Sequence, residues 1–170
     1  MSIAASLIAE LEQEAQTTRR VLERIPQAHL SWKPHAKSFS LGQLALHVAT
    51  VPGNVAELAM QDMAAPPAFL QPEAATASEL PSTLDASVAK AKHHLGAADD
   101  PTMGETWRLM NDGREILAMP RGAFLRTVML NHWYHHRGQL LVYLRLLNQP
   151  VPSVYGPTAD ENPFAVALEA

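Results

Sequence analysis

The sequence predicts an all-α protein: a four-helix bundle with a short β-hairpin ahead of its last helix. Three observations lead there. Four segments carry apolar residues at helical spacing, separated by proline-bearing stretches. Alanine and leucine are abundant, whereas aromatic residues make up only 6%. Helices of this length joined by short to medium connections pack as a bundle. At 170 residues, with no repeat, linker or low-complexity stretch, one domain over residues 1–170 is the simplest organisation. A chain of this size buries roughly 70% of its unfolded surface, enough for a core without staples.

The first helix is expected from Ile3 to Ile25, with Leu7, Leu11, Thr18, Val21, Leu22 and Ile25 on one face and a stop near Pro26. A loop through Pro34 follows. Ser40 then reads as an N-cap with Gln43 three residues on, which together form a capping box. Phe39 and Leu44 are spaced for the accompanying hydrophobic staple. This second helix is expected to run to about Met63, with a kink at Pro52. The third begins between Glu79 and Ser82 and ends near Ala97, its stripe set by Leu84, Val88, Ala91 and Leu95, with His93 and His94 at its C-terminal end. Asn111-Asp112-Gly113 between apolar runs signals a hairpin. The fourth helix, Arg121 to Asn148, is the longest, about 40 Å at 1.5 Å per residue. The tail from Gln149 to Phe164 holds four prolines and is expected to wrap over the bundle, with Tyr155, Asp160 and Glu161 as anchors.

The composition excludes several function classes. A formal net charge of −4 with no long Lys/Arg run gives no footprint for a phosphate backbone, so no nucleic-acid partner is expected. The absence of cysteine removes disulfides, thiolate ligands and a Cys nucleophile. No apolar run approaches the ~20 residues that cross a bilayer, and acidic residues arrive too early for a signal peptide. No membrane partner and a cytoplasmic location are the expectations.

The chemistry concentrates in Asn131–Arg145, where His132, His135 and His136 lie within five residues. On a wheel of 100° per residue, Leu125, Met129, His132, His136, Leu140, Tyr143 and Leu147 share one side about 80° wide, a core stripe. His132 and His136 both lie on it, one turn apart, close enough to share one ion, whereas His135 lies on the flank. Neutral buried imidazoles each have two ring nitrogens to satisfy; a metal takes one and leaves the other to an acceptor. A pair leaves an ion under-coordinated. His47, on the apolar face of the second helix about two turns in, is the best third ligand. Three histidines leave coordination positions open for water or substrate, the arrangement associated with chemistry.

Beside the pair, Gln139 can hold a ligand's second nitrogen. His135 is a candidate outer partner or general base, and Arg137 points away, towards a structural salt bridge or a substrate carboxylate. Gly138 is expected to permit close helix packing. Trp107, Trp133 and Tyr134 are expected to pack.

The run His135-His136-Arg137-Gly138-Gln139-Leu140, the tail from Pro152 through Tyr155-Gly156-Pro157 to Asp160-Glu161, and the earlier Leu41–Val48 stretch resemble the DinB-like superfamily of metal-dependent proteins over nearly the whole chain. That resemblance implies a four-helix bundle with a long crossover connection, frequent assembly as a homodimer, and a metal site made by His47 with His132 and His136. It further implies a divalent-metal enzyme acting on a small-molecule substrate with a low-molecular-weight thiol, as an S-transferase or isomerase. All-nitrogen ligation suits Zn, Ni, Fe or Co, and a metal-activated group could equally serve a hydrolase. The competing reading is a non-catalytic, stress-related bundle that a metal only stabilises.

Overall fold

The computed structural model describes residues 2–66 and 71–165. Its elements in chain order are α1 (Ile3–Leu22), α2 (Leu41–Ala59), β1 (Met63–Ala64), α3 (Leu80–Gly96), α4 (Asp100–Gly104), β2 (Thr106–Asn111), β3 (Arg114–Pro120), α5 (Arg121–Phe124) and α6 (His132–Leu146), with Leu125–Asn131 joining α5 to α6 as a π-helical turn. The expected helical bundle forms. α3 packs on both α1 and α2, and α2 also packs on α6, while α1 and α2 barely meet. The chain therefore crosses a diagonal of the bundle between α1 and α2, and a second one between α3 and α6.

Local chemistry accounts for the starts of the helices. Ser2 caps α1 by accepting from the Ala5 amide, and Ala4, Leu7, Leu11, Glu14, Thr18, Val21 and Leu22 form its buried face. Ser40 and Gln43 make the reciprocal capping box on α2 (Ser40 Oγ accepts from Gln43 N at 3.1 Å; Gln43 Oε1 accepts from Ser40 N at 2.9 Å). α2 stops at Ala59, short of the expected Met63, because Met63 and Ala64 instead pair in parallel with Arg108 and Leu109 of β2. The helix itself runs unbroken through Pro52. In α3, Leu84, Ala91 and Leu95 are buried and Val88 is half-buried.

The expected hairpin is present, β2 against β3, turning at Asp112 and Gly113. Both have positive φ, 49° and 77°, the pattern of a type I′ turn, which glycine and aspartate tolerate. Arg121, 3% exposed, then ties the start of the last helix to its surroundings. It donates to the carbonyls of Ala59, Gln61 and Thr102 and pairs with Glu105 at 3.3 Å. Trp107 stacks on Phe124, ring centroids 3.7 Å apart.

The last helix departs from the expectation of one regular α-helix. Within its π turn the bonding reaches back five residues, as when the His132 amide donates to the Thr127 carbonyl. Downstream, the buried positions are Trp133, Arg137, Leu140 and Leu144. His132 and His136, expected on the core stripe, instead sit half-buried at the edge of the buried face. Gly138 is also a correction. It is exposed and a Cβ there would meet nothing within 4 Å, so close packing does not explain it. The tail wraps as expected: Asp160 pairs with Arg145 at 2.5 Å and accepts from Val151 N at 2.9 Å, and Glu161 pairs with Arg20. Among the described residues, no helix is long and apolar enough to cross a membrane.

Candidate metal centre

Three imidazoles converge between α2 and α6. His47 lies about two turns into α2, and His132 and His136 occupy the first two turns of α6. Ring centroids are 5.3 Å apart for His47 and His132, 4.6 Å for His47 and His136, and 4.4 Å for His132 and His136. Each ring offers one nitrogen such that all three lie within 4.8 Å of one another, a group that could hold a metal ion. The closest approach is 3.0 Å between Nε2 of His47 and Nε2 of His132.

Each ring is held in its neutral form. Burial pushes the His47 imidazole down to about 4, and the neighbouring His136 and His132 add to the shift, while a hydrogen bond to the Gln71 side chain opposes it. His132 is lowered by burial first, then by His136 and His135. For His136 burial again dominates and His135 adds to it, with the Gln139 hydrogen bond acting the other way. Neutral imidazole is the form that ligates a cation.

Gln139 organises the outer side. Its Oε1 lies 2.8 Å from Nδ1 of His136, so Nδ1 carries the proton and Nε2 presents its lone pair to the cluster. Gln139 Nε2 in turn lies 3.1 Å from Nε2 of the exposed His135. His135 thus meets the cluster's outer side, through Gln139 and with its ring edge-on to that of His136, centroids 5.0 Å apart. Arg137 faces the opposite side of α6. Buried to 1% exposure, it pairs with Glu14 at 2.6 Å, donates to Thr18 Oγ1 at 3.0 Å and bonds the Tyr155 hydroxyl. It touches none of the three histidines.

Two neighbours of the cluster carry no signal in the sequence. Gln71 sits in the long α2–α3 connection, where its carbonyl accepts from Gln43 Nε2 at 3.0 Å, so the capping residue of α2 also holds the partner of His47. Phe39 lies 6.2 Å from the His47 ring, its own carbonyl accepting from Tyr143 Oη at 3.3 Å. Only the three-dimensional course of these loops brings them here.

The donor set fits a first-row transition cation. Tetrahedral nitrogen ligands at 2.0–2.1 Å from zinc lie about 3.3 Å apart, between the closest pair and the outer limit of this cluster. Among the described residues no carboxylate joins the group, which disfavours calcium and magnesium.

A family model described as the DinB family matches residues 1–163. The uncharacterized protein YrdA of Bacillus subtilis is 25% identical over 158 residues, covering 88% of this chain and 86% of that one. Among solved structures, a DinB-like protein from Bacillus cereus superposes with a TM-score of 0.65 at 24% identity, over 88% of this chain and 95% of that one. A DinB-like protein from Bacillus subtilis gives 0.67 at 21%, over 88% and 96%. These two likenesses bear on the fold alone.

Proposed function

The chain belongs to the DinB family, and from that premise we propose that it is a metal-dependent enzyme whose cation (Zn, Ni, Fe or Co) is held by His47, His132 and His136. One observation carries this reading. Among the described residues, three half-buried imidazoles form a metal-capable group that no fourth His, Asp or Glu joins. A cation so held keeps positions open and supplies Lewis acidity, lowering the pKa of whatever group occupies them.

The chain's own residues supply the rest. Burial keeps the three rings neutral at physiological pH, so no proton need be displaced before ligation. Gln139 fixes the tautomer of His136, and the Phe39 ring bounds the His47 side. The substrate is a small molecule, and the reaction either S-transfer or isomerisation with a low-molecular-weight thiol, or hydrolysis. The working form is a cytoplasmic homodimer.

Elemental analysis of the purified protein tests the first step, with His132→Ala as control. About one transition-metal ion per chain is expected, lost in the variant. A metal-free protein with unchanged folding refutes the reading. A bound ion with no exchangeable position, whose chelation collapses thermal stability, would favour a purely structural metal.

A further inference from the structure

In an α-helix the carbonyl of one residue accepts from the amide four residues on. For Val48 that residue is Pro52, which has no N–H and whose ring crowds the carbonyl four positions back. The Val48 carbonyl is therefore orphaned within α2, at a position with no solvent exposure. Its partner comes from another helix: Trp133 Nε1–H donates to it at 2.8 Å, and Trp133 is itself fully buried. Val48 directly follows His47, and Trp133 directly follows His132. One side-chain bond thus ties α6 to the backbone of α2 beside the rings whose Nε2 atoms are 3.0 Å apart.

The same turn engages α3. The Gly53 amide donates to Ser87 Oγ at 2.9 Å, and the Ser87 hydroxyl donates to the Thr50 carbonyl at 3.1 Å. A Cβ at Gly53 would come within 2.8 Å of the Ser87 carbonyl, so α3 approaches the α2 backbone closely here.

We propose that Pro52 and Trp133 are positioning residues: the proline frees the Val48 carbonyl, and the indole captures it, setting α6 on α2 in the register that brings His132 and His136 to His47. The consequence for a cation rests on the metal reading above.

The test uses the full chain, with Co²⁺ affinity read from its visible absorption and the Tm of the metal-free protein read by circular dichroism. Trp133→Phe keeps an aromatic ring but orphans the carbonyl; it lowers Tm by about 2–12 °C and weakens Co²⁺ binding by about 10–100-fold. Pro52→Ala restores a helical amide to that carbonyl. It therefore raises Tm more in the Trp133→Phe background than in the wild type, while Co²⁺ affinity of the double variant stays low. Unchanged Co²⁺ affinity in Trp133→Phe, or an equal effect of Pro52→Ala in both backgrounds, overturns the proposal. Should Trp133→Phe not fold, Pro52→Ala alone decides. It is expected to weaken Co²⁺ binding without lowering Tm, and unchanged affinity refutes the role. If the wild type takes up no Co²⁺, the metal reading falls, and the two-background Tm comparison alone upholds or overturns the lock.

Discussion

Replacing Arg137 by alanine is expected to destabilise the protein severely without touching the histidine cluster. The magnitude follows from its surroundings. The guanidinium and its partner Glu14 have side chains only 2% and 9% exposed and lie 2.6 Å apart. Thr18, the Glu14 carbonyl and Tyr155 complete the arginine's hydrogen bonds, and Tyr155 Oη also donates to Glu14 at 2.8 Å. Removing one member leaves the other charged and buried, a loss of about 3–5 kcal/mol. At about 2–4 °C per kcal/mol for a chain of this size, Tm falls by about 6–20 °C. Since total stability is only about 5–15 kcal/mol, a paired replacement gives the more decisive comparison. Arg137→Met with Glu14→Leu removes both charges while filling similar volume, and is expected to lie near the wild type. Thermal melts followed by circular dichroism near neutral pH measure both. Metal content per folded chain should match the wild type in the paired variant, because Arg137 faces away from the cluster. An Arg137→Ala protein that loses less than about 1 kcal/mol, as an exposed pair would, refutes the reasoning.

Two further outcomes follow from the same structure. The folded-state pKa of His47 is depressed to about 4 from 6.5, so between those values the unfolded chain binds a proton that the folded chain does not. Stability of the metal-free protein therefore falls as pH drops from 6.5 towards 4, with His132 and His136 contributing in the same direction. Denaturant titrations across that window check it; His47→Gln should flatten the slope, and a stability that rises on acidification refutes it. Ser40→Ala removes the α2 cap and the hydroxyl that bonds Glu73 of the α2–α3 connection. A loss of about 1 kcal/mol, or about 2–4 °C in Tm, is expected, and an unchanged melt would deny the cap its role.

The parts of this fold that were legible in the sequence are those set by residues close together in the chain. Ser40 and Gln43 announce a helix start because their side chains satisfy each other's backbone amides within one turn. Asp112-Gly113 announces a hairpin because few residue pairs tolerate two consecutive positive φ angles. β1 was not legible, since Met63-Ala64 has no alternation of its own and becomes a strand only by meeting β2. Gly138 misleads in the opposite sense: glycine in a helix suggests a close neighbour, yet open space lies over it. Pro52 predicts a kink, yet α2 runs unbroken through it. Its effect on α6 needed the position of Trp133, although the four-residue step from Val48 to Pro52 was in the sequence throughout.

The histidine pair shows how local periodicity can pick out residues that the fold brings together, for an incomplete reason. A constant 100° step puts His132 and His136 on the core stripe, where burial itself would demand a partner for their nitrogens. The π turn at Leu125–Asn131 breaks that step, because each of its bonds spans one more residue than an α turn and underwinds the helix. Leu125 and Met129 remain buried before it; after it Leu140 stays buried, while Trp133, Arg137 and Leu144, each one residue beyond His132, His136 and Tyr143, join it. This shift matters for function in two ways. It moves the imidazoles to the edge of the stripe, half-buried and facing His47, where a ligand can reach a cation they hold. It also hands the vacated core position to an indole, whose N–H is the donor that the proline-broken carbonyl of α2 requires. A regular helix through residues 125–131 would bury the pair and turn Trp133 away from Val48, losing the open side of the site and its anchor together.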